Sequence, residues 1–283
     1  MQNEPLIFSI TRGSLDDGDG IRSVVFIKGC PMRCAWCHNP ESHSYSHEFF
    51  WKQEKCLGCG RCSKACSKGL IVWKNGQLLW KSEGCDACGS CTEQCPSEAL
   101  QLVGKRYHVE DLIELLLEDE NYYKVSGGGV TFSGGEPLSY PEYVGSVFSK
   151  LKERGISTAV ETSGLFEYDK AVELALTYID LVMFDLKLMS KELHYRYTGA
   201  DNQPILDNFR RLYRAGVRLM PRTPMIPEIT DTSENLEAIR VFLEQYPNCD
   251  RHVRLPYNGL GEKKREWLVR TQSITDKTVP HSS

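Results

Sequence analysis

Short apolar runs alternate along the chain with longer segments in which apolar residues recur at helical spacing. The apolar runs predict strands at residues 6–10, 24–28, 129–133, 156–160, 180–186, 217–220 and 252–255. The helical spacing predicts helices at residues 108–119, 140–154, 169–176, 207–215 and 233–245. Strands that alternate with helices form parallel sheets, so the six βα units from residue 24 onward predict an α/β fold. Six units are too few for a closed eight-stranded barrel, so we expect a partial, open (β/α)6 barrel.

Residues 56–95 break this alternation with eight cysteines. They form two runs of the pattern C-x2-C-x2-C-x3-C, each followed by a short apolar piece, at residues 69–72 and 98–102. Bacterial ferredoxins with two [4Fe-4S] clusters have this pattern, and in them the fourth cysteine of each run ligates the other cluster. The spacing therefore predicts one cluster on Cys56, Cys59, Cys62 and Cys95 and another on Cys85, Cys88, Cys91 and Cys66.

The internal repeat predicts a bacterial ferredoxin-like insert at residues 48–104, whose fold depends on its clusters. The insert separates a first barrel segment, residues 1–47, from a second, residues 105–270. We expect residues 271–283 to form a mobile tail. Paired zinc sites are an alternative, although zinc sites rarely use four cysteines at this spacing. Ser67 follows Cys66 where the ferredoxin pattern has proline.

Three further cysteines follow the strand predicted at residues 24–28. Cys30, Cys34 and Cys37 are spaced C-x3-C-x2-C, with no fourth ligand close by in the sequence. A [4Fe-4S] cluster normally takes four cysteines, and an open coordination position is typical of a catalytic metal site. The array therefore predicts a catalytic cluster at the carboxyl end of a strand, where α/β folds bind their ligands. A zinc loop or a redox thiol pair is the alternative, but structural zinc is almost always closed by four ligands.

Composition and charge narrow the class of partner. The 283-residue chain has a net charge of −4, with both signs mixed and no basic run, so we expect no nucleic acid and no membrane partner. No apolar run is long enough to span a bilayer, and the first residues lack the pattern of a secretion signal. Eleven of the twelve cysteines precede residue 96 at metal-binding spacing, so we expect a soluble, cytoplasmic protein. The twelfth, Cys249, is predicted to be a structural residue.

The motifs around the three-cysteine array resemble those of a known family. The sequence DGDGIR (residues 17–22) precedes the array, and CHNPE (residues 37–41) closes it. Together with C-x3-C-x2-C after the first strand, they are similar to the activating enzymes of glycyl radical enzymes. These form the pyruvate formate-lyase activating enzyme class of the radical S-adenosylmethionine (SAM) superfamily. The family usually has proline where this chain has Asp19.

The resemblance implies an oxidoreductase that acts on a protein. The open iron of the catalytic cluster would chelate SAM, and one-electron reduction would cleave SAM to methionine and a 5′-deoxyadenosyl radical. This radical would remove a hydrogen atom from a backbone glycine of a partner glycyl radical enzyme. The implied cofactors are three [4Fe-4S] clusters, SAM and a monovalent cation, and the implied electron donor is a flavodoxin or a ferredoxin.

The family motifs at the strand ends imply which residues bind SAM. They are Trp36 in the cysteine loop, Gly134, Gly135 and Glu136 after the second barrel strand, Glu161 after the third, Asp185 and Lys187 after the fourth, Arg222 after the fifth and Asn258 after the sixth. Glu136 would accept hydrogen bonds from the SAM ammonium, and the monovalent cation would lie near Glu161 and Asp185. A tight turn at residues 134–136 and an ordinary ion pair between Asp185 and Lys187 are the alternatives. Asn258 stands where the family has histidine, and it cannot titrate near neutral pH.

Two other functions fit parts of the sequence. A radical SAM enzyme that acts on a small molecule would share the cysteine loop, but DGDGIR, CHNPE and the insert favour the activating enzyme. A non-catalytic electron carrier of the ferredoxin type would explain residues 56–95 and leave Cys30, Cys34 and Cys37 without a role. Formation of 5′-deoxyadenosine from SAM distinguishes the electron carrier from the other two.

Overall fold

The structure, a computed structural model, describes residues 4–74 and 76–269. Its strands are β1 (Leu6–Ser14), β2 (Arg22–Ile27), β3 (Glu48–Trp51), β4 (Ile71–Lys74), β5 (Gln77–Trp80), β6 (Leu100–Val103), β7 (Lys105–Arg106), β8 (Gly129–Gly134), β9 (Ser157–Thr162), β10 (Leu181–Asp185), β11 (Leu219–Met225) and β12 (Val253–Pro256). Its helices are α1 (Arg61–Ala65), α2 (Ser90–Glu93), α3 (Val109–Leu117), α4 (Glu120–Ser126), α5 (Pro141–Glu153), α6 (Tyr168–Leu174), α7 (Lys191–Thr198), α8 (Gln203–Arg214), α9 (Ser233–Leu243) and α10 (Leu260–Trp267). The tail predicted at residues 271–283 lies outside the described residues. None of the described helices is long and apolar enough to cross a membrane.

The chain divides into two compact units. Among the described residues, the sheet unit contains those up to Ser46 together with Gly104–Glu262, and the insert unit contains those of His47–Val103 together with those from Lys263. The predicted barrel segment ran to residue 270. In the structure Val269 instead donates a backbone hydrogen bond to Phe49 of β3 (2.9 Å) within the insert unit. The Val269 side chain is also buried in the apolar cluster that contains Phe49.

The sheet unit is built on one eight-stranded sheet with the order β12-β11-β10-β9-β8-β2-β1-β7. The strands from β12 to β2 are parallel to their neighbours, and they include the six strands predicted for the βα units. β1 pairs antiparallel with both β2 and β7. The predicted α/β fold is therefore confirmed, with a sheet that is only partly parallel. Within the described residues the sheet has two ends, β12 and β7.

Helices cover this sheet through narrow apolar faces. In α5, Val144, Val147, Phe148 and Leu151 are spaced three or four residues apart, and all are fully buried, because residues at this spacing share one face of a helix. Burial of each such side chain stabilises the fold by about 1.5–3 kcal/mol. β8 is buried along almost its whole length, as expected for a parallel strand that is covered on both faces.

Two helices that lie wholly within the sheet unit were not predicted. In α7 the buried residues are His194 and Thr198, and both are polar. The sequence of α7 therefore shows no apolar residues at helical spacing. Local chemistry defines the ends of α7 instead. The Ser190 hydroxyl accepts a hydrogen bond from the Leu193 N–H (3.3 Å) at the N-terminus, and Gly199 takes a left-handed conformation (φ 73°) at the C-terminus. The other helix, α4, is seven residues long with Tyr123 as its buried residue.

The insert unit consists of two matching halves, β3-α1-β4 and β5-α2-β6. Each cysteine of the first run has a counterpart 29 residues later in the second run. At the same spacing, β5 is the counterpart of β3 and β6 is the counterpart of β4. β3 pairs antiparallel with β6, and β4 pairs antiparallel with β5, so the first strand of each half pairs with the last strand of the other. The sequence predicted the repeat and its apolar pieces, but not the strands β3 and β5 that complete the pairs.

Candidate active site

The three-cysteine loop begins directly after β2 and is closed at its base by hydrogen bonds. The Gly29 N–H donates to the Ser42 carbonyl (2.7 Å). The ammonium group of Lys28, which is fully buried, donates to the carbonyl of Glu41. The residues that enter and leave the loop are thereby held side by side. The loop geometry is therefore fixed by the polypeptide itself.

The end of α7 fixes the middle of the cysteine loop. The Arg33 N–H donates to the Thr198 carbonyl, and the Ala35 N–H donates to the Tyr197 carbonyl, both at 2.8 Å. The Trp36 ring also packs near the Tyr197 ring, with centroids 6.2 Å apart. The sequence pattern missed these contributions, because backbone carbonyls at the end of an unpredicted helix leave no side-chain signal.

The loop and five strand ends surround one cavity of about 240 Å³. It is lined by Cys30, Cys34 and Cys37 and by eight of the residues predicted to bind SAM: Trp36, Gly134, Gly135, Glu161, Asp185, Lys187, Arg222 and Asn258. The structure therefore brings these residues together. It adds Ser133, Thr162 and Ser163, which the sequence did not single out. Glu136 is not among the lining residues.

Glu136 lies behind the cavity wall and is fully buried. Its carboxylate accepts hydrogen bonds from the hydroxyls of Thr162 (2.8 Å) and Ser163 (2.7 Å) and from the backbone N–H groups of Ser163 and Leu138. Burial raises the pKa of Glu136 to about 7, although these donors favour the charged form. Its contacts in the structure join the ends of β8 and β9, whereas the predicted contact with an ammonium group stays a prediction.

The glycine pair before Glu136 allows two backbones to approach each other. A Cβ added to Gly135 would lie 2.2 Å from the Gly29 carbonyl oxygen, and one added to Gly134 would lie 2.6 Å from the Ile27 oxygen. The Gly135 N–H also donates to the Ile27 carbonyl (2.8 Å). The sequence favoured glycine here for a close approach to a ligand, but the close approach in the structure is to the start of the cysteine loop.

The Gly135→Ala variant is expected to lose about 1–3 kcal/mol of unfolding free energy, because the added methyl group overpacks the contact with Gly29. We also expect less iron to be retained by the loop. Urea unfolding and iron analysis of anaerobically purified protein measure both effects. Gly259→Ala is the matched control, since an added Cβ there meets no atom within 4 Å. Equal losses in the two variants would contradict this account.

Buried charges form one wall of the cavity. The Arg222 guanidinium bridges two carboxylates, Glu161 at 2.5 Å and Asp185 at 3.4 Å, and Lys187 contacts Asp185 at 2.6 Å. Burial opposes ionisation of all four groups, but Arg222 holds the pKa of Glu161, and Lys187 that of Asp185, below its ordinary value. The ion pair considered for Asp185 and Lys187 is present, and it belongs to a larger buried network.

The DGDGIR segment brings a further carboxyl group to this network. The Thr131 hydroxyl of β8 donates to the Asp17 carbonyl (2.7 Å), and Arg22 donates to the same hydroxyl oxygen (2.7 Å). Burial and, to a lesser extent, the negative charge of Glu161 raise the pKa of the Asp17 carboxyl to about 6. The sequence pointed to Asp17 only as part of the DGDGIR motif, and the structure identifies it as a neighbour of the candidate site.

The chemistry of the loop thiols suits a cationic metal group. Burial raises the pKa of Cys30 to about 12 and that of Cys34 to about 11. Metal ligands must be thiolates, so these buried sulfurs would become good ligands only beside a positive charge. Lys187 favours the Cys34 thiolate, and iron would supply the remaining charge.

The structure also brings together the four cysteines of each cluster site predicted in the insert unit. Cys56, Cys59, Cys62 and Cys95 line one cavity, and Cys66, Cys85, Cys88 and Cys91 line another. Among the described residues, no three His, Cys, Asp or Glu side chains converge closely enough to hold a single metal ion.

Comparison with known proteins gives the family. The chain matches the radical SAM superfamily over residues 80–241 and a 4Fe-4S dicluster domain over residues 55–100. It is 37% identical over 275 residues to the benzylsuccinate synthase activating enzyme of Thauera aromatica, covering 95% of this chain and 83% of that protein. It is 35% identical over 274 residues to the choline trimethylamine-lyase activating enzyme of Oleidesulfovibrio alaskensis, covering 95% and 88%. It is 37% identical over 271 residues to the trans-4-hydroxy-L-proline dehydratase activating enzyme of Clostridioides difficile, covering 94% and 88%. The chain therefore belongs to the glycyl radical enzyme activating enzymes of the radical SAM superfamily.

Proposed function

We propose that this chain holds a [4Fe-4S] cluster and SAM in the cavity of the sheet unit and activates one partner glycyl radical enzyme. The observation that carries the proposal is the convergence of three cysteines and a buried charged wall on a single cavity. Cys30, Cys34 and Cys37 would hold the cluster, and with one electron from the donor the cluster and SAM would supply methionine and a 5′-deoxyadenosyl radical for abstraction of a hydrogen atom from a glycine Cα of the partner. The chain itself binds the cluster and SAM, orients them and excludes water from the cavity.

We assign cluster binding to Cys30, Cys34 and Cys37 and SAM binding to the other predicted residues that line the cavity. The Nε of Arg222 supports this assignment. It is buried and has no hydrogen-bond partner among the described residues, and a buried donor normally finds an acceptor. Glu136 would act indirectly, by orienting Thr162 and Ser163. A monovalent cation beside Glu161 and Asp185 would join the charges that Arg222 and Lys187 already provide.

The insert, residues 48–104, would carry two additional clusters between the barrel segments 1–47 and 105–270. Each would use the four cysteines that line one cavity, which gives three clusters per chain. A flavodoxin or a ferredoxin would supply electrons, and the insert would serve as the electron route or as a docking surface for the partner. Clusters held by cysteine thiolates suit a cytoplasmic location.

A peptide that contains dideuterated glycine tests the proposed hydrogen abstraction. Reduced, reconstituted protein with SAM and the glycine loop peptide of a candidate partner should produce 5′-deoxyadenosine that carries deuterium. Mass spectrometry measures the transfer, and a peptide with alanine in place of the glycine is the control. Deuterium-free 5′-deoxyadenosine with every candidate peptide, together with transfer from a small-molecule substrate, would favour the alternative radical SAM function.

A further inference from the structure

Two indole nitrogens beside the first cysteine site of the insert unit lack a well-formed hydrogen bond to any described residue. Trp51 of β3 and Trp73 of β4 both line the cavity formed by Cys56, Cys59, Cys62 and Cys95. The Nε1 atoms of both are buried, and neither makes a hydrogen bond of good geometry to a described residue. Leaving a buried donor unsatisfied costs about 1–3 kcal/mol, so two of them around one cavity point to an acceptor that belongs there.

Sulfur is the acceptor that this cavity offers. The Trp73 N–H lies within hydrogen-bonding reach of the Cys62 sulfur. The two rings meet edge to face, with centroids 5.6 Å apart and an angle of 84°. An N–H directed at the neighbouring π face could satisfy one indole in this arrangement, but not both. At least one N–H is therefore available to a cluster sulfur.

The second site lacks this feature, although the two halves otherwise match. The counterpart of Trp73, 29 residues later, is Leu102, which has no donor. No described side-chain nitrogen that lines the second cavity is both buried and without a partner. The central cysteines are equally exposed, Cys62 at 8% and Cys91 at 7%.

Other influences on the two sites are balanced. The Leu70 N–H donates to the Cys66 sulfur (3.3 Å), and the Leu100 N–H lies close to the Cys95 sulfur in the same way. Near the second site, the Asp86 carboxylate is paired with Lys68 at 3.0 Å, so the pair adds little net charge. The Trp73 donor is the clearest difference between the two sites, because Trp80 stands at the second site where Trp51 stands at the first.

Hydrogen bonds to the sulfurs of an iron–sulfur cluster stabilise its reduced form, which carries more negative charge, and so raise its reduction potential. We propose that Trp51 and Trp73 make the cluster held by Cys56, Cys59, Cys62 and Cys95 the more easily reduced of the two insert clusters. The inference rests on the proposed function, because it assumes both clusters. The step is the uptake of one electron from a one-electron reductant, and no covalent bond forms or breaks. An electron that enters the insert settles on this first cluster.

A redox titration of the full reconstituted chain tests the proposal. EPR spectra followed during titration with dithionite give the midpoint potentials of the two insert clusters. In Trp73→Phe, the higher of the two potentials should fall by an amount that makes reduction about tenfold less favourable, or about 59 mV for one electron. The double variant with Trp51→Phe should lower it further. Trp80→Phe, which removes an indole beside the second site, should leave the higher potential unchanged.

Protein with ¹⁵N only in its indole nitrogens tests the same contact without a substitution. Pulsed EPR should detect a ¹⁵N coupling at the insert cluster that is reduced first, and this coupling should weaken in Trp73→Phe. An unchanged higher potential, a shift of the lower potential, or no ¹⁵N coupling in the unsubstituted protein would overturn the inference. Iron near four per chain in the unsubstituted protein would instead show that the two insert clusters do not form, and it would overturn that part of the proposed function.

Discussion

The Cys34→Ala variant is expected to form 5′-deoxyadenosine at less than about one hundredth of the parent rate. Loss of partners that only support a metal ligand already costs 10–100-fold, and Cys34 is itself one of three predicted ligands of the catalytic cluster. Iron content should fall by about four per chain, with about eight retained in the insert. Iron analysis and chromatographic assay of 5′-deoxyadenosine under reducing, anaerobic conditions measure the two effects.

Cys249→Ala is the matched control for this experiment. Cys249 also belongs to the sheet unit and packs against its core, but it does not line the cavity of the cysteine loop. Its substitution should leave the iron content and the rate of SAM cleavage close to those of the parent. Normal SAM cleavage by Cys34→Ala would contradict the assignment of the catalytic cluster to this loop.

The Arg222→Met variant is expected to lose about 3–5 kcal/mol of unfolding free energy. Glu161 and Asp185 are both buried and rely on the Arg222 guanidinium for charge compensation, and removal of one partner leaves the other charge buried and unpaired. Asp185 retains Lys187, so Glu161 bears most of the loss. Urea unfolding of the reconstituted protein measures the change, and weaker SAM binding should accompany it.

Two further variants isolate the cause of this loss. Arg222→Lys keeps the charge but cannot bridge both carboxylates as a guanidinium does, so its stability should lie between those of the parent and Arg222→Met. Addition of Glu161→Gln to Arg222→Met should recover part of the lost stability, which a double-mutant cycle quantifies. An Arg222→Met protein within about 0.5 kcal/mol of the parent, the range usual for surface substitutions, would show that the bridge is dispensable.

Positions defined by covalent spacing could be predicted from the sequence. The eight insert cysteines follow a ferredoxin spacing, and the structure gathers them into the two predicted sets of four. The strand ends could also be predicted, because parallel strands of a βα fold present their carboxyl ends at one edge. Glu161, Asp185 and Arg222 therefore meet, although 61 residues separate the first from the last.

Features that depend on packing could not be predicted in the same way. Glu136 follows a strand end like the others, yet its side chain turns behind the wall toward Thr162 and Ser163, where hydroxyl and N–H donors compensate its burial. The carbonyls of Tyr197 and Thr198 hold the cysteine loop through a helix without an apolar period. Such contacts depend on where neighbouring elements lie, which a single sequence does not encode locally.

Anaerobic reconstitution with iron and sulfide, followed by reduction and addition of SAM, tests the central claim most directly. The account predicts about twelve iron and twelve sulfide per chain, an EPR spectrum of reduced [4Fe-4S] clusters, and formation of 5′-deoxyadenosine. Addition of the correct partner should then produce a glycyl radical signal. About eight iron per chain with no 5′-deoxyadenosine would contradict the account, because the insert clusters alone would then be present.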